Sequence, residues 1–286
     1  MANQIRTILL LGVLSALVIA LGGLMGQGAM LLAVGLAAAL NLGAYFFSDK
    51  LVLRMNRAKE LGREQAPRIH GMVEEMAHRA GIPKPRLYLI EEAQPNAFAT
   101  GRNPQHGVVA VTSGLLQLLD ERQVRGVIAH ELAHIKNRDI LVATVAAVMA
   151  ATIGYAAHVL SFAVLFGRSD DDEAGSGAGG LLAALVAPIA ATLVQLGVSR
   201  SREYLADATG ARIAQDPEGL ASALERLDQT ARLIPTEVAP ATASLFIVNP
   251  LAGGEGLMRL FSTHPPMKER VSRLRAMTRE PWRTAA

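Results

Sequence analysis

Long uncharged apolar blocks alternate along the chain with amphipathic stretches, and the two patterns predict two environments. Residues 8–25 form one apolar run, and after Gly26-Gln27-Gly28 a second covers 29–47, interrupted only by Asn41. A third covers 140–166 and a fourth 181–198, neither carrying a formal charge. About 20 apolar residues in helical conformation cross roughly 30 Å of hydrocarbon. The pattern therefore predicts four membrane-spanning helices in two hairpins, the fourth being the least regular because Pro188 removes a backbone donor within it. The short glycine link and the lack of a clear small-residue cleavage site read as a retained hairpin rather than a signal peptide.

Between the blocks the period changes. Ile69, Met72, Val73 and Met76 recur at helical spacing over residues 63–80, and Gly81-Ile82-Pro83 stops the pattern. Residues 86–90, 96–101 and 107–112 read as short strands around a turn at Asn103-Pro104, which predicts a small antiparallel sheet. Thr112-Ser113-Gly114 opens a short helix through Leu119, and a longer helix covers 121–138. Beyond the fourth apolar run, helices are predicted over 201–214, 220–233 and 266–277, while 235–256, with its Pro and Gly, reads as a mobile surface loop. The predicted fold is a mainly α integral membrane protein with an α+β polar domain. Its parts are a transmembrane hairpin over 1–47, a first section of the polar domain over 48–139, a second hairpin over 140–199 and a second section over 200–286.

Composition agrees: the chain of 286 residues is 51% hydrophobic and 19% charged, against about 25% charged in soluble domains. Charge placement gives an orientation. Lys50, Arg54, Arg57, Lys59 and Arg63 follow the second run, Lys136 and Arg138 precede the third, and Arg200 and Arg202 follow the fourth. The link over 167–180 instead carries Asp170, Asp171, Asp172 and Glu173. Positive loops stay in the cytoplasm, so both termini and the polar domain are expected there. The net charge of +3 sits beside the apolar runs and aromatic residues are only 4%, which argues against a nucleic-acid partner. Absence of cysteine excludes disulfides and thiolate metal ligands.

The predicted helix over 121–138 carries His130-Glu131-Leu132-Ala133-His134. Residues four apart share a helix face, so two imidazoles point one way with a carboxylate beside the first. That arrangement suits two zinc ligands and a general base. A catalytic site of this kind needs a third protein ligand, and with no cysteine it must be His or a carboxylate. The candidate is Glu203, in Arg202-Glu203-Tyr204-Leu205-Ala206-Asp207, with Asp207 one turn further on the same face, placed to accept the outer N–H of a ligand imidazole. The competing reading, two carboxylates of a solvated helix, is weakened by the apolar hairpin, which returns the chain to the side on which it left His134.

The paired-His helix, the apolar insertion after it, the Glu203-Tyr204-Leu205-Ala206-Asp207 segment and the N-terminal hairpin together resemble the HtpX-type bacterial membrane proteases, within the wider group related to CAAX prenyl endopeptidases. The likeness covers essentially the whole chain, including Asn96-Ala97-Phe98-Ala99-Thr100-Gly101 and Ser262-Thr263-His264-Pro265-Pro266. It implies a zincin-like (gluzincin) domain with one Zn2+ per chain on His130, His134 and Glu203, Glu131 as general base, and Asp207 orienting His130. It further implies that His264 lies near the metal, steadying the oxyanion or taking the open coordination position, although a helix-capping role before Pro265 is open too. Asn96 is implied to bind the substrate backbone or transition state, or else is a turn residue after Pro95, and the strand over 97–100 would pair with an extended substrate. The implied activity is cleavage of misfolded or damaged membrane proteins at the cytoplasmic face of the bacterial inner membrane under stress, with the lipid bilayer as the other partner. A dedicated prenyl-protein or peptide-processing protease and a membrane scaffold that binds zinc without turnover are the alternatives. Glu131 argues against the second, since a structural site needs no base. Physiological substrates and oligomeric state are not legible in the sequence.

Overall fold

The computed structural model describes residues 2–24, 26–151, 200–231, 233–234, 242–248 and 265–279. In chain order the elements are α1 (Ala2–Leu24), α2 (Gln27–Met55), β1 (Lys59–Glu60), α3 (Pro67–Ala80), β2 (Arg86–Ile90), β3 (Ala97–Thr100), β4 (Val108–Thr112), α4 (Ser113–Leu118) and α5 (Glu121–Lys136). They continue with α6 (Ile140–Ala151), α7 (Arg200–Ala214), α8 (Pro217–Ala231) and α9 (Met267–Arg279).

α1 and α2 form a hairpin that turns at Gly26, and Asn41 ties its helices together by donating to Ser15 Oγ at 2.7 Å. Outward from it project Leu9, Leu31, Leu32, Leu36, Leu42 and Phe47, all exposed. So much contiguous apolar surface is foreign to a soluble monomer and suits hydrocarbon. Among the described residues α2 is the one helix long and apolar enough to cross a membrane, with a mean hydropathy of 1.9. α6 is a shorter apolar helix at the start of the third run; the rest of that run and the fourth lie outside the described residues.

The sheet runs in the order β1-β2-β4-β3. It is mixed, not antiparallel as the strand spacing predicts: β1 pairs antiparallel with β2, β2 parallel with β4, and β3 antiparallel with β4. The reason lies in what covers each strand. Val108, Val109, Ala110, Val111 and Thr112 are all buried, which suits a central strand; β3, buried as fully, can stand at the edge because the 242–248 segment covers it. β4 inserts between β2 and β3, leaving β3 at the edge.

α5 lies under this sheet, with α7 and α8 packed on its other sides, and Val127, Ile128, Ala129, Leu132 and Ala133 are wholly buried. Its start is fixed by a capping box in which Asp120 accepts from the Gln123 backbone and the Gln123 side chain accepts from Asp120 N–H. It ends two residues before the predicted limit, where Arg138 takes a φ of 58° and the Asp139 amide reaches back to the His134 carbonyl at 3.0 Å. That turn folds Asp139 back towards the helix it has just left.

The stretch predicted as a mobile loop needs correction in its described part. Residues 242–248 include a short 3-10 turn over Ala243–Leu245, and Phe246, Ile247 and Val248 are 1%, 1% and 3% exposed. Phe246 packs edge-on against Phe98 with ring centroids 5.0 Å apart, and the Ile247 amide donates to the Ala97 carbonyl at 2.9 Å. Burial of this apolar run against the free edge of β3 outweighs the loop-forming composition around it.

Candidate active site

α5 places His130 and His134 on one face, and their Nε2 atoms face each other at 3.1 Å. α7 brings Glu203 against the pair, with Oε1 3.6 Å from His134 Nε2 and Oε2 3.8 Å from His130 Nε2. One donor atom from each of the three falls within 4.8 Å of the others. The helices come this close because Gly210 has no side chain: a Cβ there would sit 2.8 Å from the Cα and N of His130.

The outer nitrogens of both rings meet carboxylates. His130 Nδ1 is 2.9 Å from Asp207 Oδ1, and His134 Nδ1 is 3.3 Å from Asp139 Oδ2. Nδ1–H groups donated outward to these carboxylates would leave both Nε2 lone pairs to the cavity, the arrangement that metal-ligand imidazoles require. Glu131 is 1% exposed, and its Oε1 has no hydrogen-bond partner among the described residues. A buried carboxylate oxygen left without a donor is costly. Two imidazole nitrogens, a carboxylate oxygen and this orphaned acceptor beside them fit a divalent cation with its water.

Burial pushes the Glu131 carboxyl up to about 7, against the pull of His134. Burial alone would lower His134, but Glu203 and Asp139 outweigh it and hold this imidazole up at about 9. His130 is lowered by burial, with Asp207 opposing. Burial would raise Asp207, yet Arg270 holds it well below the usual carboxylate range. Arg270 is wholly buried, donates from Nε and Nη2 to the two Asp207 oxygens at 2.8 and 2.7 Å, and donates from Nη1 to the Ile247 carbonyl at 3.0 Å.

The cavity is small, about 40 Å³, walled by Ala99 of β3 on one side and by Ser244, Leu245, Phe246 and Ile247 on another. Asn96, expected at the substrate, does not line it. Its carboxamide instead donates to the Val248 carbonyl at 2.7 Å and accepts from the Val248 amide at 3.3 Å, holding the wall in place. His264 lies outside the described residues. The structure thus brings together His130, Glu131, His134, Glu203 and Asp207, and adds Asp139 and Arg270, which sequence reading missed. Asp139 leaves no periodic signal because a turn delivers it. Arg270 did leave one: a basic residue on the helix face of Leu274 and Met277.

The sequence profile described as peptidase family M48 matches residues 63–278. The chain belongs to peptidase family M48. Its M48 relatives include a protein named protease HtpX homolog from Desulforapulum autotrophicum, 51% identical over 280 residues that span 96% of this chain and 90% of that one. Another of the same name, from Syntrophobacter fumaroxidans, is 51% identical over 97% of this chain and 100% of its own length. Among solved structures the M48 chain is similar to Ste24p of S. mikatae, with a TM-score of 0.49 and 17% identity, covering 96% of this chain and 65% of that one. This M48 peptidase is a membrane-associated metalloendopeptidase, and the HtpX-type resemblance stated from its motifs stands.

Proposed function

We propose that this M48 peptidase is a zinc enzyme that hydrolyses peptide bonds of unfolded or damaged membrane proteins at the cytoplasmic face of the bacterial inner membrane. The observation that carries the reading is the convergence of His130, His134 and Glu203 within 4.8 Å beside the unpartnered Oε1 of Glu131. In this reading those three residues hold one Zn2+, which, when bound, supplies a Lewis acid that polarises the scissile carbonyl and brings the pKa of a water to about 7. Glu131 takes the proton of the attacking water and hands it to the leaving amine nitrogen. Asp207 and Asp139 fix the tautomer and ring direction of the two imidazoles. Asn96 and the 242–248 segment shape the cleft, and His264, as the resemblance implies, steadies the oxyanion or takes the open coordination position. The nitrogen and carboxylate donor set without cysteine favours zinc among divalent cations that also accept oxygen ligands.

The topology proposed is two transmembrane hairpins, 1–47 and 140–199, flanking the two sections of the peptidase domain. Lys50, Arg54, Arg57, Arg200 and Arg202 at their domain-side ends support a cytoplasmic site. The test compares the wild type with Glu131→Gln in detergent. Both are expected to hold about one zinc, while cleavage of an unfolded protein falls by roughly 10²–10⁴-fold in the variant, the usual worth of a general base. Zinc in both with no cleavage by either would remove the peptidase reading and leave a zinc-binding scaffold.

A further inference from the structure

We propose that Arg270 is a positioning residue for the peptidase reaction, aiming the His130 imidazole through Asp207 and setting the cleft wall through Ile247. The assignment rests on the zinc-peptidase reading above and adds a residue that reaches the site through protein groups, gripping Asp207 closely and facing Glu203 Oε2 at 3.9 Å. A wholly buried arginine is costly unless every donor edge is used, and here one guanidinium serves two elements. Its Nε–Nη2 edge grips the Asp207 carboxylate in a fork, while Nη1 takes the Ile247 carbonyl at 3.0 Å. Asp207 Oδ1 is the shared atom, 2.7 Å from Arg270 Nη2 and 2.9 Å from His130 Nδ1.

Held by the fork, Asp207 stands where its Oδ1 also faces His130 Nδ1 at 2.9 Å. Through that shared oxygen the ring plane of His130, and so the direction of its Nε2, follows the guanidinium. The second contact works on the other side of the cleft. Ile247 lines the cavity, and its amide is bonded to the Ala97 carbonyl on the β3 edge. Arg270 thereby fixes how far the 242–248 wall stands from α7. Lysine cannot replace it in both roles, because a point-like ammonium on a flexible stem lacks the planar fork.

The experiment uses the full chain in detergent and measures two things: zinc affinity by competition with a chromophoric chelator, and hydrogen exchange at the Ile247 amide. Asp207→Asn is expected to weaken zinc binding about 10–100-fold, the usual effect of losing an imidazole partner. Arg270→Met is expected to weaken it by a comparable factor, and Arg270→Met with Asp207→Asn by well under the product of the two losses, any small excess over Asp207→Asn alone coming from the looser contact of Arg270 Nη2 with Glu203 Oε2 at 3.9 Å. Arg270→Lys is expected to recover most of the zinc affinity while exchange at the Ile247 amide rises.

Folded Arg270→Met with wild-type zinc affinity overturns the assignment, and so do additive losses in the double variant. Should Arg270→Met fail to fold, the double variant, which removes the buried charge together with its partner, and Arg270→Lys decide; unchanged exchange at Ile247 in Arg270→Lys overturns the link to the wall. A wild type that binds no zinc overturns the metallopeptidase reading and this assignment together, whereas a zinc-loaded wild type with inert Arg270 variants overturns the assignment alone.

Discussion

At Gly210 the backbones of α5 and α7 approach so closely that a single methyl group decides whether the site assembles. A Cβ there meets the backbone of His130 at 2.8 Å and that of Ala129 at 3.0 Å. Backbone in a buried helix cannot step aside, so Gly210→Ala is expected to cost about 1–3 kcal/mol of stability and to weaken zinc binding by displacing Glu203 on α7. Gly71→Ala is the matching control. Gly71 is exposed within α3 with nothing within 4 Å of its missing Cβ, and the change is expected to add about 0.5–1 kcal/mol. Thermal melts beside chelator titration of the two variants check both. His130, Glu131 and His134 were legible from spacing along one helix, while Glu203 and Asp207 share a helix face of their own and were joined to that helix by the apolar hairpin and the family resemblance. Gly210, Asp139 and Arg270 matter through contacts between elements, and no local pattern records which helix a glycine will face.

The elements themselves were legible where one period ran for several turns, as in α3 and α5. What the pattern did not contain is which strand lies beside which. Turn spacing makes β2, β3 and β4 look like consecutive antiparallel neighbours, but β4 crosses over to lie between β2 and β3, and the equally buried β3 ends at the edge under the 242–248 segment. The segment over 242–248 was misread for a related reason: Leu245-Phe246-Ile247-Val248 is too short to show a period, and its partner edge lies far away in sequence. Phe246 is the anchor of that segment, packed edge-on against Phe98 and 1% exposed. Phe246→Ala is expected to cost about 3–5 kcal/mol, the usual range for a buried aromatic. Hydrogen exchange should then rise at the Ile247 amide first, while the amides of α5 keep their protection. Equal loss of protection across α5 would show instead that the wall and the core unfold as one unit.

On the scale of the whole molecule, the apolar blocks said most about how the chain is partitioned. The hairpin of α1 and α2 exposes Leu31, Leu32, Leu42 and Phe47 where a soluble protein would place charge. The protein is accordingly expected to stay with membranes through an alkaline carbonate wash and to leave them only with detergent, as fractionation and immunoblotting would show. Release by carbonate alone would mean that the hairpin lies on the bilayer instead of in it. Not visible in the blocks was how the membrane part meets the peptidase part. α2 does not end at the domain; it enters it, for Val52 and Leu53 are 0% and 5% exposed in a cluster with Phe98 and Phe246. At about 1.5 Å per residue, its 29 residues are longer than the roughly 30 Å of a bilayer's hydrocarbon core, and beyond Met55 only residues 56–58 precede β1. Such a joint has no leash. With α2 across the bilayer as proposed, the cleft would ride at one height above the lipid, like a blade on a fixed carriage, and chain would have to be delivered to that height to be cut. A reporter whose cleavable stretch is moved stepwise away from its own membrane anchor should therefore be cut within a narrow band of spacings and spared on either side of it.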